Sequence, residues 1–298
     1  MRKLLLQLDS SHHASVFDRV VAFDGGADEV MSYGGVAEDA VRDLVHGAIF
    51  TRGPKDLRNT AVFIGGTDMA AGERVLAAVR KAFFGPLRVS VMLDSNGSNT
   101  TACAAVAKLL QSVGGDVTGR RALVTAGTGP VGMRAAGLLA RAGARVVVTS
   151  RRAKKSAQVV EAIRQRFGGT LTGATMADRS QASTVLAAEG GAELVINAGP
   201  AGVNLFPRDS WAGRPGLRVV ADLNAVPPTG VEGIEATDDG AQREGVMVFG
   251  ALGVGGLKMK IHKACIARLF ERNDLVLDAE TIAEVARELA PTDAPKRP

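Results

Sequence analysis

The hexapeptide Gly127-Thr128-Gly129-Pro130-Val131-Gly132 has the GxGxxG spacing of a phosphate-cradling turn. It follows the buried-strand pattern Arg121-Ala122-Leu123-Val124-Thr125-Ala126 and precedes a helical pattern over residues 130–141. This strand–turn–helix context separates the motif from a chance run of glycines. In that setting Gly127 is expected to permit a sharp turn and Gly129 to let backbone N–H groups approach a pyrophosphate. Gly132 is expected to let helix and strand pack closely. Thr128, Pro130 and Val131 complete the loop, and the helix N-terminus beyond it favours negative charge. The competing reading is a bare glycine-rich βα turn.

The end of the next strand selects the dinucleotide, because an Asp or Glu about 20 residues on would accept hydrogen bonds from an NAD ribose. The chain instead reads Thr149-Ser150-Arg151-Arg152, with Lys154 and Lys155 following. A hydroxyl and two guanidinium groups suit the dianionic 2′-phosphate of NADP through charge-assisted hydrogen bonds, and the lysines add a looser second layer. These cations could merely line an exposed helix start, but there they oppose the helix macrodipole and lack a local stabilising reason. Ala198-Gly199-Pro200 closes a third strand pattern at 194–197, where small residues allow the ribose and nicotinamide end to lie against backbone; an ordinary turn is the alternative.

Other chemistry is sparse. His12, His13, His46 and His262 show no pairing pattern, and Cys103 and Cys265 lie far apart in apolar helical sequence with no zinc spacing. No metal is expected, and the histidines are read as structural or solvent-facing.

The elements that must hold these groups alternate throughout. Strands are expected at 3–8, 60–64, 87–93, 121–126, 145–149, 194–197, 217–223 and 246–249. Helices are expected at 36–45, 68–84, 130–141, 153–167, 179–188 and 257–271, the last preceded by a glycine-rich stretch at 250–256. Such alternation predicts an α/β, two-lobed protein: a Rossmann-type doubly wound parallel sheet plus a second α/β catalytic domain. The expected domains are a catalytic domain at 1–115, an NADP-binding domain at 116–250 and C-terminal helices at 251–298 returning to the first. Residues 291–298 read as a frayed tail. With 298 residues, 46% hydrophobic and 22% charged, the chain is long enough for two cores and ordinary for a globular protein. The net charge of +5 is scattered, and aromatic residues make up 4%, which speaks for small anionic ligands over nucleic acid. No stretch has the apolar length of a membrane span, so a cytoplasmic protein is expected.

Several unusual stretches carry a family resemblance beyond the fingerprint. They are Ser15-Val16-Phe17-Asp18, Asp24-Gly25-Gly26-Ala27-Asp28, Thr51-Arg52-Gly53, Phe63-Ile64-Gly65-Gly66 and Asp94-Ser95-Asn96-Gly97-Ser98-Asn99-Thr100-Thr101. Downstream come Ala221-Asp222-Leu223-Asn224-Ala225-Val226-Pro227-Pro228 and Gly250-Ala251-Leu252-Gly253-Val254-Gly255-Gly256-Leu257-Lys258. With these the chain resembles the NADP-dependent methylene-tetrahydromethanopterin dehydrogenases of methylotrophic bacteria, the type that also accepts methylene-tetrahydrofolate. The resemblance covers nearly all of the chain except its last several residues.

What the resemblance implies is a hydride taken from the methylene carbon between two nitrogens of a reduced pterin, in a homo-oligomer. By resemblance, Phe17 stacks on the pterin and Asp18 bonds its polar edge, though Phe17 also reads as plain core. Lys258 lies beside the substrate, Asn224 belongs with the cofactor residues, and Asp94, Asn96 and Thr101 form a polar cluster that reads the carrier or caps the next helix. For Lys258, a snorkelling surface lysine is the alternative. Two rival functions stay open. One is another two-lobed NADP dehydrogenase of the shikimate or folate type, which needs an acid/base lysine and aspartate in the first lobe, a pair for which Lys55 with Asp94 could be mistaken. The other is a non-catalytic NADP sensor. No water-activating group points to cyclohydrolase activity.

Overall fold

The computed structural model describes residues 1–290; the 291–298 tail lies outside the described residues. The elements run, in chain order, β1 (Leu4–Asp9), α1 (Val16–Asp24), β2 (Glu29–Tyr33), α2 (Glu38–Ile49), β3 (Thr60–Gly65), α3 (Met69–Ala82), β4 (Ser90–Leu93) and α4 (Ser98–Ser112). Next come β5 (Arg121–Thr125), α5 (Pro130–Arg141), β6 (Arg145–Ser150), α6 (Ala153–Phe167), β7 (Thr170–Thr175), α7 (Ala182–Ala187), β8 (Leu194–Asn197) and α8 (Arg208–Trp211). The chain ends with β9 (Val219–Asp222), β10 (Asp239–Arg243), β11 (Val246–Phe249), α9 (Ala251–Arg268), β12 (Val276–Leu277) and α10 (Ala279–Leu289).

Two units result. The first comprises residues 1–100 and 259–285, and the second residues 101–258 with the stretch beginning at Ala286. The division falls inside α4 and α9, where the sequence reading put its boundaries at 115/116 and 250/251.

The first unit holds a five-stranded sheet of order β12-β4-β3-β1-β2, parallel throughout. Every residue of β3 and β4 is buried, as expected where helices cover both faces of a parallel sheet. Its core gathers Leu6, Leu8, Val62, Ile64, Val91 and Leu93 of the strands against Val41, Val45, Val75 and Val79 of α2 and α3. Each such side chain contributes about 1.5–3 kcal/mol by leaving water.

The second unit holds a seven-stranded sheet of order β10-β11-β9-β8-β5-β6-β7, parallel except for β10. From β5 the chain winds outward through β6 and β7, then returns to β8 and continues through β9 to the other edge. The order therefore reverses between β5 and β8, the switch point outside whose strand ends open α/β sheets bind ligands.

Several expectations need correction. The 250–256 stretch is no loop: α9 begins at Ala251. A Cβ on Gly250 would collide with the backbone oxygens of Glu235 and Ala236, and one on Gly253 with that of Asp238. These glycines let the helix press on the 235–239 backbone rather than flex. The 87–93 strand shortens to Ser90–Leu93 because Leu87 pairs with Phe84 in an isolated bridge. Asp68 caps α3 instead of belonging to it, accepting from Ala70 and Ala71 N–H at 2.8 and 3.1 Å. The 179–188 helix divides into a 3-10 turn and α7. Helix α1 and strands β2 and β7 were not anticipated. In α1 Val16, Phe17, Val20 and Phe23 are all exposed, which inverts the usual apolar periodicity.

Candidate functional site

The phosphate turn starts where β5 ends. Ala126, not a glycine, takes the left-handed conformation, with φ 47°. Gly127 serves by close approach instead: a Cβ there would lie 2.5 Å from Val148 Cγ1 of β6 and 3.1 Å from the Val124 carbonyl oxygen. A Cβ on Gly132 would lie 2.7 Å from Gly127 Cα, so helix and turn pack backbone to backbone as expected. Gly129 differs from both, since its Cβ would have only Ala126 O for a neighbour, at 3.7 Å. It is the N-cap of α5, and no side chain caps the helix start. The first N–H groups of α5 thus lie behind a residue that keeps the approach open.

A cavity of about 1090 Å³ opens over this turn, wholly within the second unit. Thr128, Gly129, Ser150, Arg151, Arg152, Lys155 and Ala198, all expected at a cofactor site, line it. Arg151, Arg152, Lys154 and Lys155 are exposed, and among the described residues none of them pairs with a carboxylate. Four cations left without protein partners around one cavity fit a polyanionic guest. The dinucleotide passes this test of fit: an uncapped helix start for a pyrophosphate, guanidinium groups after β6 for a further phosphate, and a volume within the range of small-ligand sites or just above it.

Gly127, Pro130, Val131, Gly132 and Gly199 do not line the cavity. Asn224 is also absent from it, being 3% exposed. Its Oδ1 accepts from Val226 N–H at 3.0 Å and Gly202 N–H at 3.3 Å, and its Nδ2 donates to Pro228 O at 3.2 Å. It holds two loops together rather than reaching a ligand. Beneath it, the last residues of β5, β8 and β9 are cross-strand partners. Thr125 Oγ1 donates to Asn197 Oδ1 at 2.6 Å, and Asn197 Nδ2 to Asp222 Oδ1 at 2.8 Å. Asp222 also accepts from Asn224 and Val231 N–H, yet burial pushes its carboxyl above the usual range against those hydrogen bonds.

Sequence reasoning missed Gln158, Asp178, Arg179 and Asn204, which complete the cavity wall. Asp178 and Arg179 follow β7, whose Thr-Leu-Thr-Gly-Ala-Thr carries one large apolar residue and so gives almost no strand signal.

In the first unit, Asp18, Asp94 and Asn96 gather at the C-terminal end of the sheet. A Cβ on Gly65 would lie 3.1 Å from Asp9 Oδ2 and 3.5 Å from Asp18 Oδ2, and Asn96 N–H donates to Gly66 O at 2.6 Å. Phe17, 51% exposed, stands beside Asp18 on α1, which settles it outside the core. Asp94 is fully buried and caps α4: Oδ1 accepts from Asn99 and Thr100 N–H at 2.9 and 3.0 Å, and Oδ2 from Thr100 Oγ1 at 2.6 Å. Thr101 is half-buried in the first turn of α4. Lys55 is exposed and forms no ion pair with Asp94 among the described residues, so the pair a shikimate-type mechanism would use is not assembled. Lys258 is half-buried on α9, the last residue before that helix enters the first unit.

Residues 16–96 match the family model described as methylene-tetrahydromethanopterin dehydrogenase, N-terminal. The chain is 52% identical over 289 residues to the bifunctional protein MdtA of Methylorubrum extorquens, covering 97% of this chain and 99% of that one. It is 31% identical over 300 residues to the NAD(P)-dependent methylenetetrahydromethanopterin dehydrogenase of the same organism, again covering 97% and 99%. Among solved structures, 5-ketofructose reductase of Gluconobacter sp. strain CHM43 is similar with a TM-score of 0.55 at 15% identity, over 97% of this chain and 99% of that one. Shikimate 5-dehydrogenase of Listeria monocytogenes reaches 0.55 at 15% identity over 95% and 96%. At that identity the two structures share the fold alone, whereas the sequence relatives span both chains end to end. The chain belongs to the methylene-tetrahydromethanopterin dehydrogenase family.

Proposed function

We propose that this protein oxidises methylene-tetrahydromethanopterin, and methylene-tetrahydrofolate as a second carrier, to the methenyl form with NADP as hydride acceptor. The observation that carries the reading is the cavity over the GxGxxG turn, lined by Arg151, Arg152, Lys154 and Lys155, none of them ion-paired with a carboxylate among the described residues, in a chain of this family. NADP, when bound, supplies the carbon that accepts the hydride.

The chain's own residues need only bind and orient. The methenyl cation left on the carrier is stabilised by the lone pairs of its two flanking nitrogens, so no general base is required, and catalysis rests on holding two carbons in contact. In this reading Gly129 and the start of α5 hold the pyrophosphate, Ser150, Arg151 and Arg152 the 2′-phosphate, and the Ala198-Gly199 turn borders the nicotinamide end. Phe17 stacks on the pterin, while Asp18, Asn96 and Thr101 bond its polar edge. The carboxylate of Asp94 is occupied in capping α4 and supports that edge from behind. Lys258 orients the carrier; an ammonium pressed against the forming cation would oppose it. In the same reading the enzyme is cytoplasmic and, by family resemblance, a homo-oligomer. Among the described residues, no helix is long and apolar enough to cross a membrane.

The test is NADPH formation followed by absorbance with each methylene carrier supplied separately. Turnover with the methanopterin carrier is expected; silence with both pterins overturns the reading, and activity with shikimate alone selects the rival. In the same assay Lys258→Ala should lower turnover and leave the KM for NADP within about twofold, because uniform binding is untouched.

A further inference from the structure

We propose that Asp178 reads the base of the dinucleotide, accepting a hydrogen bond from the exocyclic 6-amino group of adenine so that the cavity selects adenine over a 6-oxopurine. This rests on the NADP reading above.

Asp178 is the one carboxylate lining a cavity whose other charged lining residues are all cations, Arg179 beside it included. Against a polyanionic guest such a group is unfavourable unless it meets a donor. Its position says which donor. The 2′-phosphate gripped after β6 sits on the same ribose as the base, which therefore lies within one sugar's reach of Arg151 and Arg152. β6 and β7 are hydrogen-bonded neighbours through Ser150 and Thr175, and Met176 N–H donates to Ser150 O at 2.9 Å. The segment leaving β7 is thus one strand spacing, about 4.8 Å, from the phosphate grip. It offers an apolar surface at Met176 and Ala177 and then the carboxylate. The nicotinamide carboxamide, the other strong donor of the dinucleotide, lies beyond the pyrophosphate at the opposite end.

The carboxylate is built for this use. Its Oδ1 accepts from both Ser180 N–H, at 2.8 Å, and Ser180 Oγ, at 2.5 Å, while Oδ2 has no partner among the described residues. Those bonds fix its orientation and, led by the Ser180 hydroxyl, hold the carboxyl below its usual range, so it is an ionised acceptor at neutral pH. The neighbouring Ala177 N–H is already donated to Gln181 Oε1 at 2.6 Å and so is not offered to an adenine ring nitrogen.

Calorimetric titration of the full-length protein and of Asp178→Asn with NADP and with nicotinamide hypoxanthine dinucleotide phosphate tests this. Hypoxanthine presents a carbonyl where adenine presents the amino group. The unaltered protein should bind NADP about tenfold or more tightly than the hypoxanthine analogue, the worth of one hydrogen bond to a charged acceptor. Asparagine keeps the oxygen that caps Ser180 but presents a donor on its other atom, so Asp178→Asn should close or invert that preference. Equal affinities in the unaltered protein would overturn the proposal and assign Asp178 to the ribose 3′-hydroxyl or to the Ser180 turn alone. So would equal weakening of both ligands by Asp178→Asn. Binding of neither ligand would overturn the NADP reading and this one with it, whereas binding without discrimination overturns only this one.

Discussion

The end of the first sheet and the segment after β6 in the second gather polar side chains in opposite ways. In the first unit the buried Asp9 and Asp94 are saturated by their own chain. Asp9 accepts from Ser11 and Ser15 N–H at 2.8 and 3.0 Å, and Asp94 holds the first turn of α4. In the second unit the side chains after β6 are exposed, cationic and without carboxylate partners among the described residues. A buried polar group must be satisfied within the fold, whereas like charges exposed along one cavity are left to solvent or to an anionic ligand, and the proposed function assigns them the latter. The contrast separates groups held within the scaffold from exposed cations that the proposed function assigns to the NADP phosphates, and Asp94 and Asn224, both read from sequence as site residues, are held within the scaffold.

The comparison breaks first at the arginines. Arg151→Asp with Arg152→Ala should raise the KM for NADP about a hundredfold or more, since two charge-assisted hydrogen bonds are lost at about 1.5–3 kcal/mol each, and leave that for NAD little changed. Equal losses for both cofactors in steady-state assays would show that these side chains do not bind the 2′-phosphate. Next, Asp94→Ala leaves two N–H groups of α4 without their acceptor and the Thr100 hydroxyl with only its longer bond to Gly97 O, and should cost about 2–3 kcal/mol of stability, lowering the melting temperature by about 5 °C or more. Calorimetric NADP affinity should not move, and a lost affinity without lost stability would return Asp94 to the binding site.

The glycines sharpen the contrast within one motif. Gly127→Ala drives a methyl against Val148 and should destabilise the protein by about 1–3 kcal/mol. Gly129→Ala meets open space and should melt normally yet weaken NADP about tenfold, the loss of roughly one phosphate hydrogen bond. Identical melting losses in both variants would refute the distinction. The smallest effect concerns Asp222. Burial raises its folded pKa above the unfolded value, so the neutral form is the one that folding favours. The stability this contributes is fully present below the ordinary carboxylate pKa of 3.8 and is lost as pH rises through the folded value. Asp222→Asn should remove that dependence, and the two unfolding curves measured from acid to neutral pH should diverge over this window; parallel curves would contradict it.

Much of the second unit was legible because its information is local. Residues 121–132 specify strand, turn and helix by spacing alone, and the arginines follow the next strand after a short helix. The helix boundaries of α5 and α6 agree with expectation for the same reason: both carry apolar residues at helical spacing and close on a basic last turn. The first unit was less legible. α1 turns Val16, Phe17, Val20 and Phe23 outward and buries only Val21 and Ala22 of its apolar side chains, β2 is a short edge strand, and β12 pairs with β4 from more than 180 residues away.

By itself the sequence determined the elements of the proposed cofactor site: three glycines in GxGxxG spacing, no carboxylate after the second strand and two guanidinium groups in its place. Only the tertiary structure decided which other residues join them. Strand order sets β7 beside β6, so Asp178 and Arg179 enter a cavity whose remaining walls lie at the ends of β5, β6 and β8. It also turned the glycines at 250 and 253 into a helix contact and sealed Asn224 into a network between loops. Parallel pairing brings together segments far apart in the chain, and a hydrogen bond's partner across such a distance is written in no local spacing.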